Sequence, residues 1–421
     1  MFSANRVQAE NMGRAKNQMI DEMEQGFSSV DDCFVCRSCI RDPGLRVFVG
    51  LHRQPGNCSF CHKAVKVCSM NDVISHIVDS LHLEWGDPNN EGLPYETREG
   101  GWQGEVYDLN ELLDNVGPEC PDSIMHIIAG SIHDYGWCEK NPYSLTADRT
   151  LAYGWKSFCH FIIHTARFVF YKAVNPGYDQ DQHDEMNPVH ILEALGSIVG
   201  RLALVETLAA GEKVYRVRIV DQDRNLSTAS ELGPPPHEFA TMPNRMSPVG
   251  IPMFYGAFDV DTAIRETYDP GKGSGKKAVC AEFSATRNLT VIDLTHSFHV
   301  PSLFDFVEQK HRPYYRFMSD FIKDFMKPIE RGEKAHADYV PTQVVTEYFR
   351  HVYRTYDGKS IDGMIYPSSK TGKKAIVIFT DSSGAIDLGD PVTASTLLQL
   401  DTAQDINLVV YDAQIESDGC Y

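Results

Sequence analysis

The sequence contains no uninterrupted apolar run of the length a membrane span needs, about 18 to 20 residues. Its first residues, MFSANRVQAENMGRAKNQ, lack the apolar core of a secretion signal. There is no surplus of basic residues. The 39 Lys and Arg face 58 Asp and Glu, giving a formal net charge of −19, which argues against a general grip on nucleic acid. Internal repeats and low-complexity tracts are missing. No G-x-G-x-x-G fingerprint is present, and GKGSGK at 271–276 lacks the Walker spacing, so it reads as a solvated hairpin tip. These absences predict a cytoplasmic protein with neither a membrane nor a nucleic-acid partner. In a reducing compartment the 11 cysteines need an explanation other than disulfides.

What is present is ordinary for a globular chain. With 421 residues, 42% of them apolar and 23% charged, two or three domains are expected. Residues 1–30 form a polar N-terminal segment. Residues 31–66 carry Cys36 and Cys39, then Cys58 and Cys61, the spacing of a zinc ribbon in which two knuckles close a tetrahedron. Cys33 offers an alternative pair with Cys36, and His62 is a further candidate ligand. A closed ligand set implies structural zinc without Lewis-acid chemistry.

Residues 67–210 read as a helical domain. DVISHIVDSLHLEW, DLNELLDNV and SIMHIIAGSIH repeat apolar residues at three- and four-residue spacing. The segment 153–174, with WKSFC at its start, is apolar on most faces and reads as a buried helix. His160 and His164 stand one turn apart there. Phe161 replaces the glutamate of a zinc-protease motif, so packed or capped histidines are expected. A helix over 187–210 leads into a strand at 214–220 with no Gly/Ser linker.

Residues 211–421 read as a mixed α+β domain. At its centre stands NRMSPVGIPMFYGAFDVDTAIRE, residues 244–266. MFY between Gly250 and Gly256 is a short buried strand, and DVD at 259–261 offers helix N-caps. Arg245 thus precedes the strand, Tyr255 lies near its end, and Glu266 sits on the following helix, in its first turns. Strands are expected at VCAEFSA, NLTVIDL, GMIYPSS, KAIVIFT and LVVYDAQIE, with helices near PSLFDFVEQ, YRFMSDFIKDFM and TQVVTEYFRHVYRTY.

Several of these pieces, taken in order, carry a resemblance. YRVR at 215–218, PPP at 234–236, NRMSPVGIPMFYGA at 244–257, TAIRE at 262–266 and DGMIYPSS at 362–369 together resemble the RES domain. That resemblance implies a fold like that of the ADP-ribosyltransferases and an enzyme that consumes NAD. It implies a toxin or defence effector that cleaves the nicotinamide–ribose bond by phosphorolysis or hydrolysis. The alternatives are mono-ADP-ribosylation of a specific protein and a non-catalytic NAD-binding sensor. The N-terminal part resembles the HEPN-related helical domain fused to some RES domains, resting on the cysteines and WKSFC. The ribonuclease motif of some HEPN domains appears only as Arg46…His52 and Arg331…His336, both off the helical block, so nuclease activity is not expected.

The resemblance implies Arg245, Tyr255, Glu266 and Ser368 as catalytic residues, and Arg216, Arg245 and Tyr255 as NAD-binding. Arg216 and Arg218 alternate along one strand and point the same way, so Arg218 stays an alternative. Ser369 stays an alternative to Ser368. Glu266 would face the cation developing on the ribose, Arg245 would hold the diphosphate, and Tyr255 would stack on nicotinamide. The asparagine that family members often carry after the serine is replaced by GKK at 372–374. Expected partners are NAD, inorganic phosphate and an antitoxin or regulator protein, with a homo-oligomer left open.

Overall fold

The structure is a computed structural model and describes residues 20, 22–172, 186–268, 272, 275–327 and 335–417. Most of the polar start, residues 173–185, residues 271, 273 and 274 of the GKGSGK loop, and Arg331 lie outside the described residues. The chain divides into two compact units, Met1–Ala147 with His299–Arg316, and Asp148–Phe298 with Phe317–Tyr421.

The first unit opens with a three-stranded sheet of β1 (Phe34–Cys36), β2 (Gln54–Asn57) and β3 (Ala64–Ser69), in the order β1-β3-β2. Helix α1 (Pro43–Leu51) starts where Asp42 accepts the Leu45 N–H at 2.9 Å, with Pro43 at its first position. Helix α2 (Met70–Glu84) is capped by Ser69, and α3 (Leu109–Val116) by a reciprocal box of Asp108 and Glu111. Helix α4 (Asp122–Ser131) completes a core of Leu45, Ile74, Ile77, Leu81, Leu112, Ile128 and Trp137.

Leu303 and Phe304 join that same core, although they come from between two strands of the second unit. The stretch is bolted in by polar bonds. Ser302 donates to both oxygens of Asp42 at 2.9 Å, the Phe304 carbonyl meets His76 Nε2 at 2.9 Å, and Arg312 and Arg316 each reach Glu84 at 2.8 Å. A side chain on Gly44 would lie 2.5 Å from the Asp305 nitrogen, so only glycine fits there. The helix expected near PSLFDFVEQ is not formed. Asp305 accepts the Val307 and Glu308 N–H groups, which turns the chain before any helix begins at Gln309–His311.

In the second unit a mixed, largely antiparallel nine-stranded sheet runs β11-β12-β7-β5-β6-β10-β9-β8-β4. These are β4 (Val205–Leu208), β5 (Lys213–Asp221), β6 (Phe254–Ala257), β7 (Lys276–Ala285), β8 (Leu289–Asp293), β9 (Gly363–Pro367), β10 (Lys374–Ile378), β11 (Ala385–Asp387) and β12 (Leu398–Ile406). Only β8 with β9 and β11 with β12 pair in parallel. One face buries Val214, Phe254, Phe283 and Ile376. The other buries Val217, Ala257 and Ala278 beneath α7 (Val260–Thr267), through Ala263 and Ile264.

The unit also contains α5 (Ala147–His164), α6 (Ile191–Arg201), most of α8 (Arg312–Phe325), and α9 (Val340–Glu347). Helix α5 is shorter than the apolar pattern suggests and ends at His164, with Phe168 exposed beyond it. Its Trp155 N–H donates to Asp324 at 2.6 Å. His160 and His164 both lie exposed on α5, rings 5.0 Å apart, so they are not packed into the core. The terminal strand expected at LVVYDAQIE is instead helix α10 (Leu408–Ser417), where Asn407 accepts the Val409 N–H at 3.0 Å; the preceding strand β12 lies inside the sheet, between β11 and β7. No helix among the described residues is long and apolar enough to cross a membrane.

Candidate functional site

The site forms where β5 and β6 diverge. Their antiparallel ladder holds one registered pair, Ala257 with Tyr215. Beyond that pair the strands part, and the Arg216 guanidinium enters the gap, donating through Nη1 to the Tyr255 carbonyl at 2.7 Å. A side chain thereby satisfies a backbone acceptor that a neighbouring strand would otherwise take. The guanidinium also lies over the Phe254 ring at 5.4 Å. Burial, then repulsion by Arg218, lowers the Arg216 pKa to about 9, and its buried Nε has no partner among the described residues. Arg218 goes elsewhere and donates to the Gly233 carbonyl at 2.7 Å.

Arg216 and Tyr255 line a pocket of about 150 Å³ with Asn244, Ser247, Phe239 and Met242. The Tyr255 hydroxyl meets Ser247 Oγ at 2.9 Å, and burial pushes its pKa up to about 12. Arg245, on the loop before β6, donates through Nη1 to the carbonyls of Phe325 at 2.7 Å and Lys327 at 2.8 Å. It therefore caps the C-terminal end of α8, whose carbonyls carry the helix's partial negative charge. Gln343 and Thr342, on α9, hold the same loop by its Asn244 and Arg245 carbonyls.

Glu266 lies in the last turn of α7, where the helix dipole disfavours a carboxylate, and not in its first turns. It is exposed, and the Ser368 hydroxyl donates to its Oε1. Ser368 follows directly on β9 and is 3% exposed. Its oxygen also accepts the Lys370 and Thr371 N–H groups at 3.2 and 3.3 Å. Gly372, at φ +70°, closes the tight β9–β10 turn in a conformation few other residues adopt. Thr371 Oγ1 meets Thr262 Oγ1 at 3.1 Å, which ties this turn to the start of α7. Ser369 is exposed.

A further residue completes the cluster. Tyr366, within DGMIYPSS, is 7% exposed and lies on β9 two positions before Ser368. Burial raises its pKa well above the ordinary range, and the charges it feels are those of Glu266, Tyr255, Arg245 and Arg216. Sequence reasoning missed it because a tyrosine in a buried strand reads as core. The i, i+2 spacing to Ser368 was the one signal that could have found it.

In the first unit the sulfurs of Cys36, Cys39, Cys58 and Cys61 lie within 4.8 Å of one another. Cys36 is 3.6 Å from Cys39 and 3.7 Å from Cys61, and Cys39 is 3.8 Å from Cys58. Four thiolates around zinc, with bonds of about 2.3 Å, form a tetrahedron with edges of about 3.8 Å, so the donor set fits that ion. Burial raises the Cys58 pKa, but the N–H groups of Cys61, Phe60 and Cys36 reverse this and lower it to about 7. Cys33 and His62 lie outside the cluster. Glu206, Asp293 and His296 also converge, but Lys374 already holds Asp293 at 2.6 Å.

Residues 213–401 match the family model described as RES domain, and residues 52–176 match the one described as HEPN/RES N-terminal domain 1. Arg216, Arg245, Tyr255, Glu266, Tyr366 and Ser368 all fall in the first match. Cys58 and Cys61 fall in the second, which begins after Cys36 and Cys39. Neither the curated proteins nor the solved structures hold a match to the chain.

Proposed function

We propose that this chain, which belongs to the RES domain family and carries a HEPN/RES N-terminal domain ahead of that domain, is an enzyme that cleaves the nicotinamide–ribose bond of NAD. The observation that carries the reading is the convergence of one carboxylate, Glu266, with Arg216, Arg245, Tyr255 and Ser368 around the divergence of β5 and β6. The chemistry asks for little covalent help, because nicotinamide in NAD is cationic and leaves as a neutral ring. The ribose moves toward an oxocarbenium ion, and a carboxylate beside it stabilises the developing charge. Glu266 takes that role, and Ser368 fixes its orientation by donating to it.

A protein of net charge −19 repels an anionic dinucleotide, so local arginines must offset it. Arg216 supplies the diphosphate with a partly desolvated guanidinium whose Nε is still free of described partners. Arg245 assists with the nitrogens it does not spend on the α8 carbonyls. Tyr255 packs against the nicotinamide ring. The acceptor is inorganic phosphate, in keeping with a toxin or defence role. The four clustered cysteines hold a structural zinc, which shapes the first unit and takes no part in the reaction.

The test is direct. Purified protein is incubated with NAD, with and without phosphate, beside Glu266→Ala, and the products are read by mass spectrometry. Nicotinamide together with a phosphorylated ADP-ribose, both lost in the variant, is the expected result. Turnover that survives Glu266→Ala refutes the site, and products that ignore phosphate make the enzyme a glycohydrolase.

A further inference from the structure

Tyr366 is the one polar side chain of the cluster without a hydrogen bond to a described residue. Arg216 is spent on the Tyr255 carbonyl, Arg245 on the end of α8, the Tyr255 hydroxyl on Ser247, and Ser368 on Glu266. The Tyr366 hydroxyl makes no hydrogen bond to any described residue, although the side chain is 7% exposed. The ring is buried, but its oxygen is not among the enclosed polar atoms left without a partner, so the hydroxyl keeps access to solvent. An accessible hydroxyl without a described partner, beside arginines and a carboxylate, is open to a ligand.

Strand register shows where that partner would lie. Tyr366 pairs with Ala375 across β9 and β10, and Ala375 pairs with Ala257 across β10 and β6. The three lie in one cross-strand row on one face, and two of them end at a methyl group. Tyr255, opposite Val377, lies on that face two residues along, and α7 brings Glu266 over the same face. The row leaves the Tyr366 ring standing beside alanines, with its hydroxyl toward the charged groups.

Building on the reading above, we infer that Tyr366 is a substrate-contacting residue whose hydroxyl donates a hydrogen bond to a ribose or phosphate oxygen of the bound dinucleotide. The phenol suits that task, because burial and the neighbouring Glu266 keep it protonated throughout the physiological range. It is a neutral donor, so it adds a bond without adding to the charge that Glu266 must balance.

The experiment compares the full chain with Tyr366→Phe and Glu266→Ala. Nicotinamide release is measured over a range of NAD concentrations, NAD binding by calorimetry, and melting temperature by circular dichroism. Phenylalanine keeps the ring and its packing, so melting should be unchanged. Loss of the donor should lower kcat/KM about ten-fold or more and weaken NAD binding in parallel. A variant that melts like the parent and keeps kcat/KM and affinity within about two-fold overturns the inference while leaving the NAD reading intact. A parent chain that neither binds nor turns over NAD overturns both. A variant that melts much lower, but binds NAD like the parent at a temperature where both are folded, assigns Tyr366 a packing role and also refutes it.

Discussion

The doubled serine of the YPSS motif gives the sharpest functional prediction. Ser368 is 3% exposed, donates to Glu266, and accepts the N–H groups of Lys370 and Thr371 at 3.2 and 3.3 Å. Ser369 is exposed and makes none of these bonds. Replacing Ser368 by alanine removes the one described donor to the Glu266 oxygen. A hydrogen bond to a charged group contributes about 1.5–3 kcal/mol, and because Glu266 is exposed the lower end applies. About 1.4 kcal/mol is a factor of ten, so kcat should fall about ten-fold while KM changes little, because the lost interaction aims the carboxylate at the transition state. The two weak backbone bonds add a stability cost of about 1 kcal/mol. Ser369→Ala should stay within about two-fold on both counts. Nicotinamide release and thermal melting on the two variants decide the matter. Equal losses at both positions, or a Ser368→Ala enzyme with more than half the parent kcat, would refute the reasoning.

Two further predictions concern the first unit. Metal analysis should find about one zinc per chain; Cys58→Ser should lose it and Cys33→Ser and His62→Ala should keep it, so retention by the first or loss by either of the others would sink the assignment. Glu84→Gln should destabilise by about 2–3 kcal/mol in urea unfolding followed by tryptophan fluorescence, since Arg312, 9% exposed, loses its charged partner while the more exposed Arg316 loses little. Burial raises the Glu84 pKa, but the bonds from Arg312 and Arg316 reverse this and leave it lowered. A depressed carboxylate stabilises above its unfolded value of about 4.3 and stops doing so as pH falls through the folded value, so the gap between parent and variant should close in acid. A gap that stays constant from pH 7 to pH 3 would contradict the clamp.

Local chemistry made part of this architecture readable without coordinates. The Cys-x-x-Cys pairs sit on tight knuckles whose geometry is set within a few residues. The N-cap at Asp259 is likewise short-range. So were the strand expected at 253–255, which forms over 254–257, and the placement of Glu266 on the helix after it, although the helix proved short enough to put Glu266 in its last turn. The terminal strand was misread because Asn407 starts a helix that the apolar run LVVY does not announce.

Every choice between near-identical neighbours waited for the tertiary structure. Periodicity says that Arg216 and Arg218 share a face, but only the parting of β5 from β6 gives Arg216 the Tyr255 carbonyl and leaves Arg218 with Gly233. Spacing allowed Cys33, but the second knuckle closes on Cys36 and Cys39. Ser368 was distinguished from Ser369 by which of them reaches a carboxylate 102 residues earlier. The assignment of residues 299–316 to the first unit follows the same pattern, since Glu84, Asp42 and His76 are their partners across more than 200 positions of chain. A sequence fixes what neighbours along the chain can do. Which distant groups meet depends on strand register and on the core that each unit buries.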